Sequence, residues 1–97
     1  MSYWKNTVVD LGVITQGKPQ KVVFYAKDTI PLVKHVQPFC GCTSVKYHPE
    51  KKQLNVTYSN SKIPDQVMGP QTVAKKIEVT YEDDKKEILI IKAIRVR

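Results

Sequence analysis

Residues 72–96 read TVAKKIEVTYEDDKKEILIIKAIRV, and this stretch decides the fold. Val73, Ile77, Val79 and Tyr81 recur at even spacing, the period of a strand with one face buried. Glu82-Asp83-Asp84-Lys85 then interrupts with residues that favour turns. From Lys86 to Val96 the apolar residues return, rich in isoleucine, a residue that favours strands. The pattern predicts two antiparallel strands, 72–81 and 86–96, joined by a short hairpin loop. The second strand carries an excess of apolar residues. Leu89, Ile91 and Ala93 can face a core, which leaves Ile88, Ile90 and Ile94 on the opposite face. Either a β-bulge absorbs that excess, or the sheet presents an apolar patch to a partner.

Outward from the hairpin, the same grammar repeats. Strands are predicted over 7–11, stopped by Gly12, and over 21–26, with Val22, Phe24 and Ala26 on one face. Others follow over 30–36, 43–47 and 53–59, the last alternating Leu54, Val56 and Tyr58. Turn residues separate them, notably Gln16-Gly17-Lys18-Pro19 and His48-Pro49-Glu50-Lys51-Lys52. Residues 60–70 form the longest loop, polar and marked by Pro64, Gly69 and Pro70. No window shows helical apolar spacing. Seven or eight short strands in 97 residues predict an all-β fold, a single immunoglobulin-like antiparallel β-sandwich. The whole of 1–97 makes one domain, with a core over about 7–96 and an N-terminal arm at 1–6.

The formal net charge is +7, from 16 Lys and Arg against 9 Asp and Glu. The lysines are spread in pairs such as Lys51-Lys52, Lys75-Lys76 and Lys85-Lys86, which suits solvated faces and guarded strand edges. No nucleic-acid motif accompanies them, so nucleic acid is not the expected partner. The longest apolar run, Ile88-Leu89-Ile90-Ile91, is too short to cross a membrane. The first residues, Met1-Ser2-Tyr3-Trp4-Lys5-Asn6, lack the pattern of a signal peptide. If Met1 is the true start, the chain is expected to stay in a cytoplasm or to be packaged from one.

Several short elements occur in a telling order: Val9-Asp10-Leu11-Gly12-Val13-Ile14, Pro31-Leu32-Val33, Cys40-Gly41-Cys42-Thr43, Leu54-Asn55-Val56-Thr57-Tyr58, Gly69-Pro70 and Lys76-Ile77-Glu78-Val79-Thr80. Together they resemble a bacterial family of immunoglobulin-like domains of unknown function that carries a Cys-Gly-Cys-Thr signature, related to the ASH and major-sperm-protein sandwiches. The resemblance covers roughly residues 7–96. It implies a Greek-key sandwich of seven or eight strands; related domains serve as structural and interaction modules, many bacterial members are exported, and some occur in phage-encoded proteins. Fold alone does not set function.

For chemistry the chain offers one corner. His35, Cys40, Cys42 and His48 make His-x4-Cys-x-Cys-x5-His, two imidazoles and two thiolates, the donor number of a tetrahedral zinc site and soft enough for copper(I). Alternatively Cys40 and Cys42 form a redox pair, since a Cys-x-Cys disulfide closes a small ring. A third alternative leaves both as small residues at a bend that Gly41 permits. Phosphate loops and calcium loops are missing: the four glycines stand scattered at 12, 17, 41 and 69, and Asp83-Asp84 sits in a turn.

The expectation drawn from these features is a non-enzymatic protein, without cofactor or small-molecule substrate, that docks on a capsid or other large protein assembly. Its most concrete form is a bacteriophage virion component such as a capsid decoration or cementing subunit, located in the virion. Tyr3, Trp4, Ile88, Ile90 and Ile94 are the expected partner contacts, Tyr3 and Trp4 alternatively capping the core, with the 60–69 loop as a second surface. The alternatives are a metal- or redox-handling protein built on Cys40, Cys42, His35 and His48, and a cytoplasmic adaptor that uses the positive charge.

Overall fold

A computed structural model describes residues 2–97. Seven strands form in chain order: β1 (Val8–Thr15), β2 (Gln20–Tyr25), β3 (Val33–Pro38), β4 (Thr43–His48), β5 (Gln53–Tyr58), β6 (Gln71–Tyr81) and β7 (Lys86–Val96). They make two sheets, β1-β7-β6-β3 and β2-β5-β4. This is the Greek-key order of an immunoglobulin-type sandwich whose first strand lies on the sheet of the last. The pairings are antiparallel except β1 with β7, which run parallel. The expected strands are therefore present in full, with one parallel pair in place of an all-antiparallel arrangement.

The β6–β7 hairpin forms where the spacing puts it. Its pairing runs from Gln71↔Arg95 to Thr80↔Lys86. Asp84 takes the left-handed conformation, φ 66°, which aspartate tolerates better than most residues. The Tyr81 N–H donates to Lys85 O at 2.9 Å and the Asp84 N–H donates to Tyr81 O at 2.9 Å, so the turn satisfies its own backbone.

The core is the sum of the inward phases of four strands. Val22 and Phe24 from β2, Leu54 and Val56 from β5, Ile77, Val79 and Tyr81 from β6, and Leu89 and Ile91 from β7 pack in one buried cluster with Trp4 and Ala26. Each large apolar side chain removed from water contributes roughly 1.5–3 kcal/mol, set against the entropy of ordering the backbone. Ile14, Tyr58 and Ala93 extend the core toward the far end.

β1 departs from expectation in an instructive way. Gly12 does not stop the strand; it makes a bulge. Asp10 pairs with Lys92 and Val13 with Ile94, so Leu11 and Gly12 stand opposite Ala93 alone. Gly12 has φ 69°, a region that costs other residues energy, and its N–H donates to Asp10 Oδ1 at 2.8 Å. The extra residue flips the phase of the strand. Leu11 and Ile14 both turn inward while Val13 stays 67% exposed. Strand β3 begins later than expected, at Val33, because Ile30–Leu32 serve as the approach to it; the Glu82 N–H donates to Leu32 O at 3.0 Å.

The N-terminal residues do not form a free arm. Trp4 is buried, bridges to Ala26 in β-fashion, and donates its indole N–H to the Tyr81 hydroxyl at 2.9 Å. Tyr81 in turn donates to Glu87 Oε1 at 2.7 Å. Ser2 Oγ also hydrogen-bonds Glu87, and Tyr3 meets the Tyr81 ring edge-on at 5.3 Å. Met1 lies outside the described residues.

The 60–70 loop is likewise fastened at its root. Asn60 is fully buried with φ 46°. Its Nδ2 donates to Thr15 O at 2.8 Å and Lys18 O at 2.9 Å. Its Oδ1 accepts from Arg95 Nε at 3.0 Å. Arg95, itself buried, also donates to Gln71 Oε1 at 3.0 Å and to Ser61 O. Ile63 fills a buried position beside this knot. The loop is thus anchored at one end of the sandwich by buried Asn60 and Ile63, while Ser61, Lys62, Pro64–Gln66 and Met68–Pro70 are exposed.

Two stability predictions follow from these packed ends. Asn60→Ala removes the partner of a buried guanidinium and three side-chain bonds, and is expected to cost about 3 kcal/mol in urea denaturation. The second concerns alkali. Burial, and then the hydrogen bond to Glu87, raise the Tyr81 phenol above its ordinary value of 10.0. Burial also raises Tyr47, with Glu50 adding to it. A raised acid stays protonated in the fold while the unfolded chain ionises. The stabilisation is therefore complete below about pH 10 and lost as the pH climbs beyond it. The urea midpoint should fall through that range, and fall less in Tyr81→Phe.

Candidate functional site

Two places on the molecule hold residues that packing alone does not account for. The first is the outer face of the four-stranded sheet. Strand β7 alternates without interruption: Leu89, Ile91, Ala93 and Arg95 are buried, and Ile88, Ile90, Lys92 and Ile94 point away from the core. No bulge in β7 absorbs the excess isoleucines; the bulge is in β1. Register then assembles the patch. Val8 lies beside Ile90 and Val13 beside Ile94, while Glu78, Lys76, Ala74 and Thr72 of β6 stand opposite Ile88, Ile90, Lys92 and Ile94. Val8, Val13, Ile88 and Ile94 are 47%, 67%, 37% and 40% exposed. Ile90 is half-buried at the centre.

The rim of this patch is charged and mostly positive. Lys76 and Lys92 face outward with the isoleucines, and Lys86 sits 3.4 Å from Glu78. Asp10, beside Lys92, is the other acid on this side. Such a surface, an apolar centre with a basic border, is complementary in character to an apolar patch bordered by acids.

The five expected contact residues therefore separate. Ile88, Ile90 and Ile94 come together on one face, joined by Val8 and Val13, which the linear pattern did not single out. Their signal was present only as β1 apolar residues of the wrong phase. Tyr3 is elsewhere, half-buried against Tyr81. Trp4 is a correction: at 2% exposure it is a core residue, because the indole fills the space between Tyr81 and Tyr47, whose ring it meets at 6.0 Å. A surface depression of about 430 Å³ beside Tyr3 is lined by Ser2, Tyr81, Lys85, Lys86 and Glu87. Ser2 and Tyr81 both bond Glu87 there, and Lys85 and Lys86 pair with Asp83 and Glu78.

The second place is the corner where the chain passes from β3 in one sheet to β4 in the other. Cys40 and Cys42 are joined in a disulfide there, with Cα atoms 5.2 Å apart. The four-residue metal set does not assemble. His35 is on the outer face of β3, with Nε2 3.0 Å from Gln37 Oε1. His48 ends β4 in the other sheet, with Nδ1 3.4 Å from Glu50 Oε1. Both thiols are consumed by each other. Among the described residues no three His, Cys, Asp or Glu side chains converge as metal ligands would. The bond also corrects the picture of two free small residues at a bend.

Lys75 is the residue the linear pattern missed at this corner. It follows the inward phase of β6, with Val73 and Ile77. Its ammonium lies 5.7 Å from the centre of the Tyr58 ring and 3.8 Å from Cys40 Sγ. Phe39, next to the disulfide, is 58% exposed.

The chain belongs to the family described as Protein of unknown function (DUF1573), which matches residues 2–95. No curated protein and no solved structure matches the chain.

The disulfide closes a loop with a single intervening residue, so chain entropy allows it to stabilise the fold by only about 1.5 kcal/mol. The double variant Cys40→Ser/Cys42→Ser should lose no more than that in a urea titration. A larger loss would make the bond a structural staple.

Proposed function

We propose that this member of the family is a non-enzymatic binding protein that docks on a larger protein assembly through the outer face of its four-stranded sheet. The observation that carries this reading is the row of Val8, Val13, Ile88, Ile90 and Ile94 brought side by side by the β1–β7 register. The core does not need them: the opposite phase of β7 already fills it. Strand interiors on a solvated face ordinarily carry polar residues, and a contiguous apolar patch bordered by charge marks a contact surface. Lys76, Lys86 and Lys92 around it favour a partner with acidic residues at its own border.

The same reading includes the finer proposals. Kinship with the ASH and major-sperm-protein sandwiches is part of the proposal and rests on the ordered sequence elements alone. The assembly itself is proposed to be a bacteriophage capsid, with this chain as a decoration or cementing subunit in the virion. A small rigid sandwich with one patch suits that work, because many identical weak contacts sum over a lattice.

Native mass spectrometry of the protein purified from its natural source without detergent tests the reading. The expected result is a high-mass protein particle that keeps this chain in high salt, as an apolar contact would. The double variant Ile88→Lys/Ile94→Lys should lose affinity for that particle at least about tenfold, with its melting temperature unchanged. Binding that vanished steeply with salt would instead indicate a polyanion, and a free monomer under all conditions would overturn the docking reading.

A further inference from the structure

The Cys40–Cys42 corner has features that docking does not use. Its backbone is held without the disulfide. The Phe39 N–H donates to Lys76 O at 3.0 Å, the Thr43 N–H to Cys40 O at 3.1 Å and the Ser59 N–H to Cys42 O at 2.8 Å. Opening the sulfur bond therefore leaves the bend fastened to both neighbouring strands. The site is also approachable. Gly41, between the two cysteines, is exposed, and nothing lies within 4 Å of where its Cβ would be.

The two sulfurs have different surroundings. Cys40 Sγ faces two donors, the Cys42 N–H at 3.3 Å and the Lys75 ammonium at 3.8 Å. Cys42 Sγ has the neutral Thr43 hydroxyl at 3.8 Å. A cation and an aimed N–H stabilise a thiolate, lower its pKa and make it the better leaving group. Lys75 is placed for this by the fold, with the Tyr58 ring lying beneath its ammonium as a cation–π partner.

We propose that Cys40–Cys42 is a thiol–disulfide exchange site whose co-reactant is a protein dithiol, with Cys40 as the sulfur that leaves as thiolate and Lys75 as its charge partner. A thiolate of the dithiol attacks Cys42 Sγ. The Cys40–Cys42 bond breaks, and its electron pair leaves on Cys40 Sγ beside Lys75. The second thiol of the co-reactant, deprotonated, then attacks its own sulfur in the mixed disulfide and expels Cys42. The dithiol loses two electrons and two protons and becomes a disulfide; the cysteine pair gains both and becomes two thiols. In reverse, the Cys40 thiolate closes the bond. Exposed Phe39, adjacent in sequence, supplies an apolar contact for a protein co-reactant that a small dithiol would not use.

The experiment is alkylation of the reduced, folded protein with iodoacetamide across a pH series, with each cysteine read by mass spectrometry. Cys40 should titrate about one unit below the ordinary thiol value of about 8.5, and Cys42 at or above it. Lys75 and Tyr58 are the titratable side chains that β6 and β5 set against the pair. Lys75→Gln should return the Cys40 midpoint to the ordinary value, and Lys75→Arg should keep it low. Phe39→Ser should slow reduction by a Cys-x-x-Cys protein of the thioredoxin class several-fold while leaving reduction by dithiothreitol unchanged. If Cys40 and Cys42 titrate together at the ordinary thiol value in the unaltered protein, the proposal is wrong, whatever the variants do. It is equally wrong if the reduced pair, still folded, does not regain its bond in glutathione disulfide. Equal slowing of both reductants by Phe39→Ser would overturn the protein co-reactant.

Discussion

Strand β7 imposes the constraint on which the rest of the molecule depends. Between Ile88 and Ile94 only Lys92 is polar, so whichever phase turns inward, an apolar phase remains outside. The strand is also central, paired to β6 on one side and β1 on the other. Neither neighbour can cover its outer face, because sheet neighbours lie beside a strand and not above it. The core takes Leu89, Ile91 and Ala93. The β1 bulge then places Val8 and Val13 next to Ile90 and Ile94 and enlarges the patch. A single glycine conformation, at Gly12, thus decides which residues of β1 are core and which are surface.

The two ends of the sandwich are closed by polar knots rather than by apolar residues. At one end Trp4, Tyr81, Glu87 and Ser2 form a chain of hydrogen bonds. At the other, Asn60 accepts from Arg95 and donates to the backbone of the β1–β2 turn. A short sandwich has little apolar material for its ends, and buried polar groups are tolerable there only when fully satisfied. Among the described residues every buried side-chain nitrogen and oxygen has a partner. These knots bring the first residues, the long loop and the last strand into one cooperative unit, and they leave the sheet face and the β3–β4 corner as the two places with unassigned chemistry.

Those two places are physically separable. The proposed docking face belongs to the outer phase of β7 and β1, while the disulfide lies where the chain changes sheets, with Lys75 reaching it from the inner phase of β6. The proposed docking and the proposed disulfide exchange therefore need no coupling between them.

Local pattern determined much of this protein. The 72–81 and 86–96 strands, their turn at Glu82–Lys85, and the inward phases of β2, β5 and β7 were legible because alternation and turn chemistry are properties of neighbouring residues. So was the surplus of Ile88, Ile90 and Ile94. What the tertiary structure alone decided are matters of pairing between distant residues. Gly12 reads as a strand stop in sequence and proves to be a bulge, because its role depends on the register against Ala93. In sequence Trp4 can either cap the core or anchor an arm, and the fold makes it core, because Tyr81, distant in sequence, supplies its acceptor. His35 and His48 complete a four-donor set with the cysteines by residue type, yet β3 and β4 belong to different sheets. Lys75 gives no linear signal, since only sheet packing sets its ammonium beside a sulfur contributed by another strand's end.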